Sequence, residues 1–207
     1  MKIEQSFSAI LIWSLLSSPV WSETIDDLVS IGGKYYLKFT ENPFNGKIER
    51  EVQGLLKDGV WDGPYIEYYE TGQRKRKGTY KVGKQVGLWQ SYHQMGHLVT
   101  KGFYKDGEKI GLWLSYGKNG QSRRRETYKD GKKEGLSEFN HPNGLLMLKG
   151  NYKDGVQDGV WEFYHDNGEL KEKGNYKSGV REGVWEYFNK GDTGAWTVTF
   201  KNGVKVE

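Results

Sequence analysis

Gly150 to Gly168 reads GNYKDGVQDGVWEFYHDNG, and from Gly174 the chain reads GNYKSGVREGVWEYFNKG, 24 residues further on. The same pattern runs through most of the 207 residues. One glycine column holds Gly59, Gly83, Gly107, Gly131, Gly155, Gly179 and Gly203, a second Gly63, Gly87, Gly111, Gly135, Gly159 and Gly183, and a third Gly72, Gly96, Gly120, Gly144 and Gly168. A fixed period without insertion marks one supersecondary unit stacked on itself, so function has to be sought in columns rather than in single residues.

Within one period the residue types prescribe a hairpin. Lys149–Lys153 suits a strand, Asp154 to Gly159 a turn, Val160–Tyr164 the returning strand, and His165 to Gly168 a second turn, because short aromatic and β-branched runs bounded by Asp, Asn and Gly are hairpin signals. Six units and their flanks then give roughly 13 strands in one elongated antiparallel sheet, all-β, on the order of 60 Å long at ~4.8 Å per strand. Aromatic columns would fill its faces. The first is Tyr80, Tyr104, Tyr128, Tyr152, Tyr176 and Phe200; the second Trp89, Trp113, Trp161 and Trp185; the third Tyr68, Tyr92, Tyr116, Tyr164 and Phe188. Gly78, Gly102, Gly150 and Gly174 leave room for a ring to lie flat over each. These rings recur with the unit, which makes them structural rather than a ligand box.

Composition sets the outer limits. Eight Trp and fourteen Tyr argue against disorder despite 28% charged residues. A net charge of +4 is too small and too dispersed for nucleic-acid binding. The chain has no cysteine, which removes disulfides, thiolate metal sites and thiol catalysis.

Four segments follow from this pattern. Residues 1–22 carry a short apolar run, Phe7 to Leu16, broken at Ser17-Ser18-Pro19, with Val20 and Ser22 placed for cleavage before Glu23, which reads as a signal peptide and an exported protein. Residues 23–53 form a lead-in, with a helical turn from Ile25 to Val29 capped by Thr24, strands at Tyr35–Phe39 and Lys47–Gln53, and the role of a degenerate capping hairpin. Residues 54–197 hold six repeats, and residues 198–207 a half-repeat cap.

The spacing Tyr-x-x-Gly-x-x-x-Gly-x-Trp-x-x-Tyr-x-x-x-Gly, seen from Tyr80 to Gly96 and from Tyr152 to Gly168, resembles the bacterial MORN-repeat variant family. The resemblance covers about Gly54 to Gly203. It implies an elongated sheet of hairpins with a role in protein or membrane contact, and some bacterial members are labelled antitoxin components.

No residue set suggests catalysis. His93, His141 and His165 share one column while His97 lies in a turn, and neighbouring units stand ~10 Å apart, too far for shared metal ligation at ~2 Å. Asp106, Asp130 and Asp154 form one acidic column, and Asp62, Glu134, Asp158 and Glu182 another; both read as solvated turn carboxylates, whereas a catalytic acid needs burial. No enzyme, cofactor or metal is expected. The column that invites function is Lys57, Lys81, Lys105, Lys129, Lys153, Lys177 and Lys201, from which Lys81 to Lys177 are taken as candidate binding residues. A row of ammonium groups suits an anionic partner, while a solvated edge that discourages sheet aggregation is the plainer reading. Arg74-Lys75-Arg76-Lys77 and Arg123-Arg124-Arg125 read as solvated charge runs.

The fourth unit departs from the pattern, with Glu126 for Gly, Ser137 for Trp and Asn140 for Tyr, followed by Leu145-Leu146-Met147-Leu148. The leucines either repack this unit or form an apolar patch; repacking is the expectation. Three functions follow: a non-enzymatic exported scaffold contacting a protein, the envelope or a membrane surface; a cell-wall glycan binder; and a neutralising antitoxin or immunity partner.

Overall fold

The computed structural model describes residues 23–191 and 194–206. Residues 1–22, with the signal-peptide reading, lie outside them. The described chain forms a 15-stranded antiparallel sheet in strict sequence order beside a separate two-stranded ribbon. Six hairpins make up most of it: β4 (Val52–Lys57) and β5 (Val60–Tyr68), β6 (Arg74–Lys81) and β7 (Lys84–Tyr92), β8 (Leu98–Lys105) and β9 (Glu108–Tyr116), β10 (Ser122–Lys129) and β11 (Lys132–Asn140), β12 (Leu146–Lys153) and β13 (Val156–Tyr164), β14 (Leu170–Lys177) and β15 (Val180–Phe188). β3 (Gly46–Ile48) borders one end, and β16 (Ala195–Lys201) and β17 (Val204–Val206) the other. The flanks thus add three strands to the twelve of the repeats, and the stack is on the order of 70 Å long.

The hairpin turn is tighter than the sequence pattern suggests. It consists of Asp154-Gly155 alone, with φ of 51° and 90°, because positive φ at both central residues makes a type I′ turn whose twist matches that of the strands. β13 therefore starts at Val156, and Gly159 lies inside it, where the register slips between the pairs Gly150↔Trp161 and Tyr152↔Gln157. The second glycine column marks this β-bulge, with φ of 85° at Gly159.

The core is one aromatic layer on one face. Four tryptophan rings lie flat on a glycine of the strand before them: Trp89 on Gly78, Trp113 on Gly102, Trp161 on Gly150 and Trp185 on Gly174. A methyl group at any of these glycines would sit well within 3.0 Å of the indole. The indole N–H donates to a carbonyl beside the bulge, as from Trp161 Nε1 to Asn151 O at 3.1 Å. Tyrosines fill the gaps edge-on, with centroids at 5.0 Å for Tyr104–Trp113 and 5.1 Å for Tyr176–Trp185. Cations close the layer from above: Lys109 Nζ lies 4.2 Å from the Trp113 ring centroid and Arg181 Cζ 4.0 Å from that of Trp185. That cover explains how Trp185 reaches 0% exposure in a sheet with no second layer.

The fourth unit replaces ring on glycine by a coupled pair. Glu126 stands opposite Ser137, and the Glu126 carboxylate meets Lys133 Nζ at 2.6 Å. Lys133 in turn lies 4.7 Å from the Tyr152 ring. Ser137 is fully buried, and its Oγ has no hydrogen-bond partner. Leu146, Met147 and Leu148 are half-buried while Leu145 is exposed.

The lead-in differs from its expected form. The helical turn is a 3-10 turn, Ile25–Asp27, and Val29 belongs to β1 (Leu28–Ile31), which pairs with β2 (Lys34–Leu37). Asp27 accepts from the N–H and hydroxyl of Thr24 at 2.8 and 2.7 Å. Lys47–Gln53 is not one strand, because Arg50 at φ 93° breaks it into β3 and the start of β4. Leu28, Ile48 and Leu56 form a small aliphatic core here, joined by Tyr35, Phe44 and Trp61.

Candidate functional site

Alternation along the strands gives the sheet an aromatic face and an open face. Lys81, Lys105, Lys129, Lys153 and Lys177 all fall on the open face, each the last residue of the first strand of its hairpin and each exposed. They pair with Lys84, Glu108, Lys132, Val156 and Val180. None of the five forms an ion pair among the described residues. The structure lines them up along the turn edge at ~10 Å intervals, two strand spacings.

Two further rows share this face, and neither stood out as a column in the sequence. One is apolar: Leu88, Leu112, Leu136, Val160 and Val184 are 42–57% exposed, with Phe103 beside Leu88 across the strand pair. The other is cationic: Lys77, Lys101, Arg125, Lys149 and Lys173, four residues before the turn lysines. Period-24 bookkeeping registers each of these positions, but only strand alternation shows that they face the same way.

The charge along the second cationic row is uneven. Arg125 meets Glu138 at 3.1 Å, Lys149 meets Glu162 at 2.8 Å, and Lys173 meets Glu186 at 3.2 Å. Lys77 stands instead between Ile66 and Gln90, and Lys101 between Gln90 and Leu114. The open face is thus basic and apolar in its early units and internally neutralised in its later ones. Hydrogen bonds from Lys149 and from the Tyr164 hydroxyl hold the Glu162 carboxyl below its usual range, with burial opposing.

The two basic runs are divided between the faces. In the first, Arg76 reaches the aromatic face, pairs with Glu67 and lies 5.4 Å from the Tyr65 ring. Burial pushes the Tyr65 hydroxyl up to about 12 against the pull of Arg76. In the second, Arg124 lies over Phe139 at 5.4 Å on the aromatic face, and Arg125 turns to Glu138 on the open face.

The remaining candidates join units together. His141 Nε2 meets Tyr164 O at 3.0 Å and His165 Nε2 meets Phe188 O at 3.1 Å; Tyr69, in the same column, donates its hydroxyl to Tyr92 O at 2.9 Å. The second acidic column is not merely solvated. Asp62, Glu134, Asp158 and Glu182 accept the turn N–H of the next unit, from Val82, Asp154, Ser178 and Asn202, at 2.8–3.4 Å. Asp106, Asp130 and Asp154 occupy the first, left-handed position of the turn. Among the described residues, no three His, Asp or Glu side chains converge as a metal site would require.

A search of the curated proteins returns no match to this chain. The family model described as MORN repeat variant matches residues 61–81, 85–106, 133–154 and 157–178. Each matched segment starts in the returning strand of one hairpin and ends at or just past the last residue of the next first strand, so it spans the Trp–Tyr packing between units. Repeats of this kind are generally protein- or membrane-binding, and proteins built from them are typically non-enzymatic scaffolds. Through these repeats, the chain belongs to the MORN-repeat variant family.

Proposed function

We propose that this protein is a non-enzymatic, exported scaffold that holds an elongated, acidic protein partner along its open face. The observation behind this reading is the row Leu88, Phe103, Leu112, Leu136, Val160 and Val184, left exposed and flanked by lysines on both sides. Leu88, Phe103 and Leu112 adjoin one another, and Thr127, Asn151 and Asn175 stand between the later members; exposed apolar surface rimmed by charge favours a docking role. Lys77 and Lys101, lacking carboxylate neighbours, supply the charge complementarity that selects an acidic partner. A twisted ribbon matches a protein surface better than a planar bilayer does. Export rests on residues 1–22.

A photo-crosslinking residue at Leu112, compared with one at Thr100 on the aromatic face, tests the docking surface in the native organism. A discrete product from Leu112, lost in Lys77→Glu/Lys101→Glu, is the expected result. Capture from Thr100 alone, or sedimentation with anionic vesicles or peptidoglycan in place of a protein product, overturns the reading. Cell fractionation tests export; retention of uncleaved chain in the cytoplasm would refute it.

A further inference from the structure

A cavity of about 480 Å³ opens on the aromatic face between the second and fourth units, at the edge where one hairpin connects to the next, opposite the edge that carries the turn lysines. Its origin lies in the column of inter-unit staples. Tyr69, His141 and His165 each reach a backbone carbonyl 23 residues ahead. His93 does not, because its Nδ1 instead accepts the Met95 N–H at 3.3 Å. The next position in the column is Gly117, which has no side chain to reach across. Two successive staples are therefore missing, and the space they would occupy is the cavity.

Its lining is basic. Lys118, Arg123 and Arg124 contribute permanent charges and His93 and His97 two imidazoles, while among the described residues no carboxylate lines it. The register slip between Ser122 and Arg124 lets two consecutive arginines line the same space, where regular alternation would part them. Arg76, Arg125 and Arg181 each have a glutamate partner; among the described residues Arg123 and Arg124 have none. Phe139, under the Arg124 guanidinium, and Met147 give the cavity an apolar wall.

We infer that this cavity binds a phosphomonoester carried on an apolar or aromatic body. Three uncompensated cations around one space repel one another, and a dianion relieves that repulsion better than a single carboxylate does. Guanidinium forks match phosphate oxygens geometrically, and the volume falls within the range of small-molecule sites. The body of the ligand packs on Phe139 and Met147. The same chemistry is offered by a soluble aryl phosphate and by the headgroup and first methylenes of phosphatidic acid. The site is separate from the open face, so its failure leaves the docking reading intact.

Calorimetry on the full chain with phenyl phosphate, inorganic phosphate and phenol tests the site, alongside sedimentation with phosphatidylcholine vesicles with and without phosphatidic acid. Phenyl phosphate should bind at least about tenfold more tightly than phenol, and Arg124→Gln should weaken it by about tenfold or more, the usual scale for a charge-assisted contact. Gly117→His, whose Cβ comes within 3.0 Å of Asn119 Oδ1 and 3.3 Å of the Arg123 side chain and whose ring fills the space, should abolish binding in protein that remains folded. Binding confined to phosphatidic acid vesicles, with the same dependence on Arg124 and Gly117, supports the site and assigns its ligand to lipid. Binding to neither probe, or binding that survives both Arg124→Gln and Gly117→His in folded protein, overturns the inference.

Discussion

Installing the consensus pair in the fourth unit should reverse the effect of installing half of it. Ser137 occupies the place of a tryptophan, and Glu126 the place of the glycine on which that ring would lie. Ser137→Trp alone would drive an indole onto the Glu126 Cβ, as a methyl group at Gly150 would collide with Trp161. Overpacking of this kind costs about 1–3 kcal/mol. Glu126→Gly alone removes the ion pair to Lys133 and frees the backbone, for a loss of about 1–2 kcal/mol. Together they should stabilise. Burial of about 200 Å² of indole contributes roughly 5 kcal/mol. About 1 kcal/mol is lost to rotamer freezing, another ~1 to the flexible glycine and ~1 to the broken pair. The net gain is about 2 kcal/mol, or roughly 4–8 °C in Tm for a chain of this size. Lys133 then covers the new ring as Lys109 covers Trp113. Urea unfolding of the four proteins, followed by far-UV circular dichroism, closes the cycle, with a coupling of about 4 kcal/mol or more. Additive effects, or a Ser137→Trp variant more stable than the parent, would refute the ring-on-glycine account of the core.

Other expectations rest on single contacts. Val82 is a β-branched residue at φ 47° in the position where other turns carry Asp, Ser or Asn, so Val82→Asn should raise stability by about 1 kcal/mol in thermal melts. His165→Ala removes the bond to Phe188 O and should cost about 1 kcal/mol, with faster hydrogen exchange at the β15–β16 end. The Glu162 carboxyl is held low in the folded state, so its contribution is complete above the unfolded carboxylate pKa and is lost as pH falls through the folded value. Glu162→Gln should flatten that acid limb, and an unchanged limb would contradict the assignment. Gly150→Ala, where the new methyl meets the Trp161 ring, should lower the urea midpoint more than Gly144→Ala, whose cost comes from its φ of 90° and whose nearest neighbours are side-chain atoms of Gln121.

The 24-residue period by itself determined the class and the hairpin unit, and marked four glycines as room for a ring, because each depends on residue types at fixed spacing along one chain; which ring lies on which glycine came from strand pairing. Local conformation was harder to read. DGVQDG holds two Asp-Gly steps that look alike, yet Asp154-Gly155 is the turn and Asp158-Gly159 lies at a bulge. Strand register makes that choice, through the hydrogen bonds between β12 and β13. In the lead-in, no period exists to exploit, and packing around Leu28, Ile48 and Leu56 sets the strand ends. The candidate site divides in the same way. The turn lysines were visible as a column, whereas their alignment with Lys77, Lys101 and the exposed Leu–Val row required knowing which side of the sheet each residue takes. His93 was visible only as one member of a histidine column, 24 residues before Gly117. Only the tertiary structure shows that their neighbours in that column reach across to the next unit, and so that a missing reach leaves a basic cavity, since a void is a property of atoms in space and has no signature in the order of residues.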